Sequence, residues 1–352
     1  MGFRDNIRRV IPYTPGEQPR ERVIKLNTNE CPYPPSPRVI KAMKELDWER
    51  LRLYPDPLMA DFTESLAEYY GVKPSQVFGG VGSDDVLSMC FLTFFSGDRP
   101  VLFPDITYSF YDVWAEVYRI PYETKKLDDD FRIVPSDYYA ENGGIVLANP
   151  NAPTGIRESL AVMEDIIDHN RDSVVIVDEA YIDFGAESAL PLIDKYENLV
   201  VVRTMSKSRA LAGMRLGYCF GSEELIKYLN DVKYSVNSYT LNIPAITAGA
   251  AAIRDQGYFD KTVSRIKKTR EWTAENLEGL GFSFFRSDTN FIFAKPPEGF
   301  PAANIFERLK KHGIYVRHFG KERISDYLRI TIGTDEEMET LIDTLKIVIK
   351  EM

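Results

Sequence analysis

The chain is poor in the residues that staple or metallate small proteins. Its 352 residues hold three cysteines and three histidines. Cys31, Cys90 and Cys219 are far apart and form no C-x-x-C pair, which excludes a disulfide framework and a zinc knuckle and suits a reducing compartment. His169, His312 and His318 are too scattered for a histidine-based metal site, so no metal is expected. Positive charge is outnumbered, 43 Lys and Arg against 53 Asp and Glu. The net charge of -10 argues against a nucleic-acid partner, though not against a locally basic pocket for a small anion. No apolar run approaches membrane-span length, so no membrane partner is expected. The N-terminus Met1–Asn6 is charged, without the apolar stretch of a signal peptide, and Asn6 stands where a myristoylation motif needs Ser or Thr. The expected location is cytoplasmic. Internal repeats and low-complexity tracts are lacking too.

What remains is a globular composition, 44% apolar and 27% charged, long enough for two domains. Pro12, Pro15 and Pro19 predict an irregular N-terminal arm with a short extended piece at Val23–Leu26. Short apolar runs then recur at Val77–Val81, Val101–Phe103, Gly144–Ala148, Val174–Val177, Leu199–Val202 and Leu216–Phe220, most of them separated by helical patterns or loops. Such alternation predicts an α/β fold with a mostly parallel central sheet covered on both faces. Ligands in such sheets bind beyond the carboxyl ends of the strands. From Ala245 a long helical stretch runs to about Leu280. Strand-like Phe282–Phe285, Asn290–Ala294, Ile314–Arg317 and Tyr327–Ile332 follow, with helices near Asn304–His312 and from Asp335. That texture predicts a smaller α+β domain. The expected division is an arm at 1–29, a large domain at 30–250 and a small domain at 251–352.

Common nucleotide motifs fail. Gly79-Gly80-Val81-Gly82-Ser83 follows a strand, but Asp85 stands where G-x-G-x-x-G needs its last glycine, and no P-loop is present. The stretch reads either as a tight turn or as a helix start, N-capped by Ser83, that offers free N–H groups to a phosphate. Asp178 ends one apolar strand and Lys207 lies just past another, at the same sheet edge. Singly, each reads as a turn or solvated residue; together they make a candidate site. Arg215, between Gly213 and Gly217, can clamp an anion bidentately.

Asp178-Glu-Ala-Tyr181, Thr204-Met-Ser206-Lys207, Ala210-Leu-Ala-Gly213-Met-Arg215 and the turn Asn149-Pro-Asn-Ala-Pro-Thr-Gly155 resemble the core of the fold-type I pyridoxal-phosphate aminotransferases. Asn27-Thr-Asn29-Glu30, Arg52-Leu-Tyr54-Pro55, Thr107-Tyr108 and Leu328-Arg329-Ile-Thr-Ile-Gly333 narrow the resemblance to the histidinol-phosphate branch of that family, from about residue 10 to the C-terminus.

The resemblance implies roles. Lys207 would bond the aldehyde of pyridoxal 5'-phosphate and, when released, carry the proton. Asp178 would keep the ring nitrogen protonated, Tyr181 would hydrogen-bond the ring hydroxyl oxygen, and Tyr108 would lie against the ring. Ser83, Asp84, Ser206 and Arg215 would hold the cofactor phosphate, joined by Tyr54 from a second subunit of a homodimer with a shared active site. The family turn carries an asparagine just before Pro-Thr-Gly; here that residue is Ala152, with Asn151 one place earlier. Either Asn151 takes over the cofactor contact, or Tyr181 holds the oxygen without it. Tyr13, Asn29, Arg317 and Arg329 would bind substrate, whereas Arg203, Arg209 and Arg323 read as framework charges. The implied reaction is transamination of L-histidinol phosphate with 2-oxoglutarate, giving imidazole-acetol phosphate and glutamate, a step of histidine biosynthesis. The competing readings are an aromatic amino-acid aminotransferase, a phosphothreonine decarboxylase on the same scaffold, and a non-catalytic amine sensor.

Overall fold

The computed structural model describes residues 2–351. In the arm lies a two-residue strand, β1 (Ile24–Lys25). The larger sheet follows with β2 (Val77–Val81), β3 (Val101–Pro104), β4 (Tyr122–Lys125), β5 (Gly144–Ala148), β6 (Val175–Asp178), β7 (Leu199–Thr204) and β8 (Leu216–Gly221). Across the sheet the order is β2-β8-β7-β6-β5-β3-β4, and only β8 runs against the others. The predicted mostly parallel sheet is therefore present.

The side-chain alternation of a strand explains the near-continuous apolar runs. Ile145, Leu147, Val175, Val177, Leu199 and Val201 enter the core on one face. Val146, Ile176, Val200 and Val202 enter the core on the other. Both faces are buried, so no polar residue alternates with the apolar ones. Each such side chain contributes roughly 1.5–3 kcal/mol relative to exposure. The unpredicted strand β4 shows the converse. It is a mostly exposed edge strand, Tyr-Glu-Thr-Lys, with no apolar run to reveal it.

Strand direction decides where the site can be. Ala148 pairs with Asp178, and Asp178 with Val202, so β5, β6 and β7 end side by side. On β7's other flank the reversed β8 begins at this edge, with Gly217 opposite Thr204 and Leu216 opposite Val81. Beyond Val81 helix α3 (Ser83–Phe94) starts. Its N-cap is Gly82 rather than Ser83, a correction with a steric cause. Gly82 has φ +85°, and a Cβ there would collide with the Arg215 guanidinium. A Cβ on Gly217 would strike the Gly82–Ser83 backbone, so both glycines are needed for this close approach.

The second sheet is antiparallel and contains β9 (Ser283–Phe284), β10 (Phe291–Lys295), β12 (Arg317–His318) and β13 (Leu328–Thr331), in the order β12-β13-β10-β9. The expected single strand at Ile314–Arg317 is divided. Its first half, β11 (Ile314–Tyr315), pairs in parallel with β1 of the arm. The long helical stretch is also two helices, Ile243–Ile253 and Gln256–Gly279, broken at Arg254-Asp255. No helix among the described residues is long and apolar enough to cross a membrane.

Candidate active site

The carboxyl edge of the large sheet opens into a cavity of about 380 Å³ lined by, among others, Ser83, Asp84, Tyr108, Asp178, Tyr181, Ser206, Lys207 and Arg215. Eight of the residues singled out in the sequence thus share one wall. Asp178 is buried at the end of β6, where Oδ2 accepts from Tyr111 Oη at 2.9 Å and Oδ1 from the Ala180 N–H at 3.1 Å. Burial pushes its carboxyl up to about 6; the two hydrogen bonds oppose the shift, and nearby Asp84 and Glu179 add to it. Lys207 follows β7, and its Nζ donates to the Thr28 carbonyl at 3.1 Å and lies 5.7 Å from the Tyr181 ring centre.

At the start of α3, Asp84 accepts from Tyr108 Oη at 2.7 Å and pairs with Arg215 Nη2 at 3.2 Å. Burial first, then the Asp84 carboxylate, raises the Tyr108 phenol well above its ordinary value, so it stays protonated. The Thr204 hydroxyl accepts from the Ser206 N–H at 3.1 Å and donates to Ser206 Oγ at 3.0 Å. Among the described residues, no cluster of His, Cys, Asp or Glu could hold a metal ion.

A second cavity, about 610 Å³, is lined by Tyr13, Thr107, Pro153, Arg317 and Phe319 among others. Tyr13 stacks on Phe110 with ring centres 4.2 Å apart. Arg317 Nη2 reaches the Thr14 carbonyl at 3.3 Å. Arg329 sends Nη2 to the Asn27 carbonyl at 3.0 Å and keeps a buried Nε without a partner, with Phe291 and Phe319 on its flanks.

The family model of class I and II aminotransferases matches residues 21–345. A histidinol-phosphate aminotransferase of Lactococcus lactis subsp. cremoris strain SK11 is 52% identical over 347 residues, 98% of this chain and 97% of that one. The chain belongs to the class I and II aminotransferases. Another relative in the family, the histidinol-phosphate aminotransferase of Chromohalobacter salexigens, is 50% identical over 97% of each chain. The fold of the histidinol-phosphate aminotransferase from Sinorhizobium meliloti, solved in complex with pyridoxal-5'-phosphate, matches with a TM-score of 0.86 at 24% identity, over 94% of this chain and 92% of that one.

The donor set suits the family's cofactor. A helix N-terminus, a serine and an arginine meet where a phosphate would need them, and the absence of side chains at Gly82 and Gly217 lets Arg215 and the start of the helix pack this close. An amine and a buried carboxyl face the same space. Four sequence expectations fit less well. Arg329 lines neither cavity and spends Nη2 on the Asn27 carbonyl. Asn151 does not line the cavity. Its Nδ2 donates to the Ile106 carbonyl and Thr154 Oγ1, and its Oδ1 accepts from Thr107, so the amide is used up by its own turn and the neighbouring loop. Ala152 takes the wall position instead. Asn29 is fully buried behind the wall and bonds Tyr181 rather than facing a substrate. Tyr54 is 80% exposed, stacked on Tyr239, and lines neither cavity within its own chain.

The three arginines read as framework charges are tied down. Arg203 pairs with buried Glu179 at 2.8 Å, Arg209 donates to the Ala252 carbonyl and Arg323 pairs with Asp105. Sequence reading missed Tyr111, Thr28 and Glu30. Tyr111 holds Asp178 from 67 residues away, and Thr28 acts through a carbonyl that every residue has, so neither leaves a local signal. Glu30 lines the cavity and pairs with Lys25.

Proposed function

We propose that the protein transfers the amino group of L-histidinol phosphate to 2-oxoglutarate, giving imidazole-acetol phosphate and glutamate, with pyridoxal 5'-phosphate in the smaller cavity. The reading rests on one observation: the Lys207 amine and the Asp178 carboxyl reach the same cavity from neighbouring strand ends. Relatives half identical over nearly the whole chain, each named a histidinol-phosphate aminotransferase, support the donor.

Bound there, the cofactor supplies an aldehyde and an electron-withdrawing ring that together make the donor's Cα–H acidic. Lys207 Nζ would take the proton lost from that carbon and pass it to the cofactor carbon that bore the aldehyde, and with 2-oxoglutarate it would carry a proton the opposite way. Asp178, held by Tyr111 and the Ala180 N–H, keeps a proton on the ring nitrogen; a cation there gives its buried carboxylate the partner it lacks. Backbone N–H groups at Ser83 and Asp84, with Ser206 and Arg215, bind the cofactor phosphate. Tyr108 covers the ring. Arg329, Arg317 and Tyr13 take the phosphate of the donor and, in the second half-reaction, a carboxylate of 2-oxoglutarate. Tyr54 completes the phosphate site of a second copy, which makes the working unit a homodimer. In this reading residues 30–250 carry the cofactor, residues 251–352 with the arm at 1–29 close over the substrate, and the enzyme works in the cytoplasm.

The test is the visible spectrum of the purified holoenzyme. Histidinol phosphate alone should convert the cofactor band, and 2-oxoglutarate should restore it. A band that responds to phosphothreonine or an aromatic amino acid, and not to histidinol phosphate, overturns the assigned donor. A protein with no cofactor band after adding pyridoxal phosphate overturns the whole reading.

A further inference from the structure

Asn29 lies behind the cavity wall yet controls a group on it. Its backbone N–H donates to Thr331 Oγ1 at 3.0 Å. A backbone N–H can only donate, so Thr331 acts there as acceptor and its own proton goes elsewhere. Asn29 Oδ1 receives that proton at 2.9 Å. The amide orientation is thereby fixed, and Nδ2 donates to Tyr181 Oη at 2.8 Å. A phenol has one proton, and Asn29 occupies an acceptor position of this one. Among the described residues no side chain or carbonyl receives the Tyr181 proton, and Tyr181 lines the cavity.

The chain of donors is therefore directed: backbone N–H to Thr331, Thr331 to the Asn29 amide, the amide to Tyr181, and Tyr181 into the cavity. Its inner members are fully or almost fully buried. Breaking it inside leaves an unmet polar group, which is costly. Asn29 stands in the left-handed region at φ +57°, which asparagine tolerates better than most residues, and its carbonyl accepts from Asn290 Nδ2 at 2.9 Å. The turn at 149–155 offers the cavity only Pro150 and Ala152, because the Asn151 amide is engaged by Ile106 and Thr154.

We propose that Asn29 is a positioning residue of the cofactor site, which holds the Tyr181 hydroxyl as a proton donor to the cofactor's ring hydroxyl oxygen and so supplies, through Tyr181, the hydrogen bonding that the turn at Ala152 lacks. The proposal rests on the functional reading above. Donation to that oxygen favours its ionised form. Loss of the donor raises the pH at which the cofactor band changes.

The decisive variant is Asn29→Asp, which keeps the size of the side chain but can only accept, so Tyr181 turns its proton toward the carboxylate. Equilibrium binding of pyridoxal phosphate and the pH midpoint of the visible band are measured for the wild type, Asn29→Asp, Tyr181→Phe and the double variant. Each single variant should bind the cofactor about tenfold more weakly and raise the midpoint by about one pH unit. The double variant should be no worse than either single, since both remove one donor. A wild-type midpoint in Asn29→Asp overturns the proposal, as do effects that add in full. Thr331→Val frees the Asn29 amide without changing shape and should shift the midpoint the same way by less. If Asn29→Asp does not fold, Thr331→Val decides, and an unmoved midpoint there overturns the idea. A wild type without any cofactor band is a different failure, that of the functional reading.

Discussion

The two ends of the active site are built on opposite plans. At the cofactor end, most polar groups already have hydrogen-bond partners. Asp178 has Tyr111 and a backbone N–H, Asp84 has Tyr108 and Arg215, and Thr204 has Ser206. These residues sit at or just beyond the ends of buried strands, where little can move. At the arginine end, Arg329 keeps a partnerless Nε, and neither it nor Arg317 has a carboxylate within salt-bridge distance among the described residues. The walls of the cavity beside Arg317 come from the arm, the helix Tyr111–Tyr118 and the segment from Arg317 to Ile324. A resident ligand is served by a finished, rigid cradle. A ligand that must leave each cycle is better met by unneutralised cations, which an anion completes and then releases.

Lys207→Ala should break the comparison at its centre. Turnover should fall by at least about a thousandfold. The covalent cofactor band should vanish, and the thermal melt should show an intact fold. Retained multiple turnover would remove Lys207 from the chemistry. Arg329→Ala should then separate the two ends. We expect kcat/KM for the phosphorylated donor to drop by about a hundredfold, since a bidentate charged contact is lost. Cofactor binding should stay near the wild-type value; a comparable loss of cofactor would mean that the ends are one site.

What the sequence revealed follows the same division. The strands at Val77–Val81 and Gly144–Ala148 were legible to the residue because burial on both faces leaves unbroken apolar runs. That Lys207, Asp178 and Arg215 meet at one cavity was legible because each lies at or next to a strand end on the same sheet edge. The arginine side was not. Ile314–Arg317 reads as one strand, yet it divides between two sheets, because one half pairs with β1 and the other with β13. Asn29 reads as a substrate ligand until its partners Thr331 and Tyr181, each more than 150 residues away, turn it inward. Long-range pairing has no local pattern.

Asp178 sharpens the comparison through pH. Its folded carboxyl titrates at about 6 against an ordinary 3.8. Such a group contributes stability that is fully present below the unfolded value and is lost as pH rises through the folded one. In the cofactor-free protein the difference in unfolding free energy, wild type minus Asp178→Asn, should therefore fall between about pH 4 and pH 6, by about 3 kcal/mol at most. Denaturant titrations of the two apoproteins across this window give the curve. A flat difference would mean that the empty site already holds a counter-charge for Asp178, and the cradle would then be finished even in its electrostatics. Above pH 6, pyridoxal phosphate should restore the lost stability in the wild type more than in the variant.

Tyr54 is the smallest effect and the one that tests whether the cofactor end is complete within one chain. The residue is exposed, stacks on Tyr239 at 4.6 Å, and follows a short helical turn at Trp48–Arg52 whose Trp48 and Leu51 are exposed as well. An exposed phenol among exposed apolar neighbours is a surface that a second copy would cover. If it reaches the cofactor phosphate of a second copy, Tyr54→Phe deletes one hydrogen bond to a charged group and leaves the apolar contacts in place. Cofactor affinity should fall about tenfold, about 1.5 kcal/mol, while the dimer persists and kcat at saturating cofactor stays close to wild type. Unchanged affinity would place Tyr54 outside the phosphate site. The cofactor cradle would then be finished by its own chain alone, and the contrast with the open arginine end would be sharper than proposed.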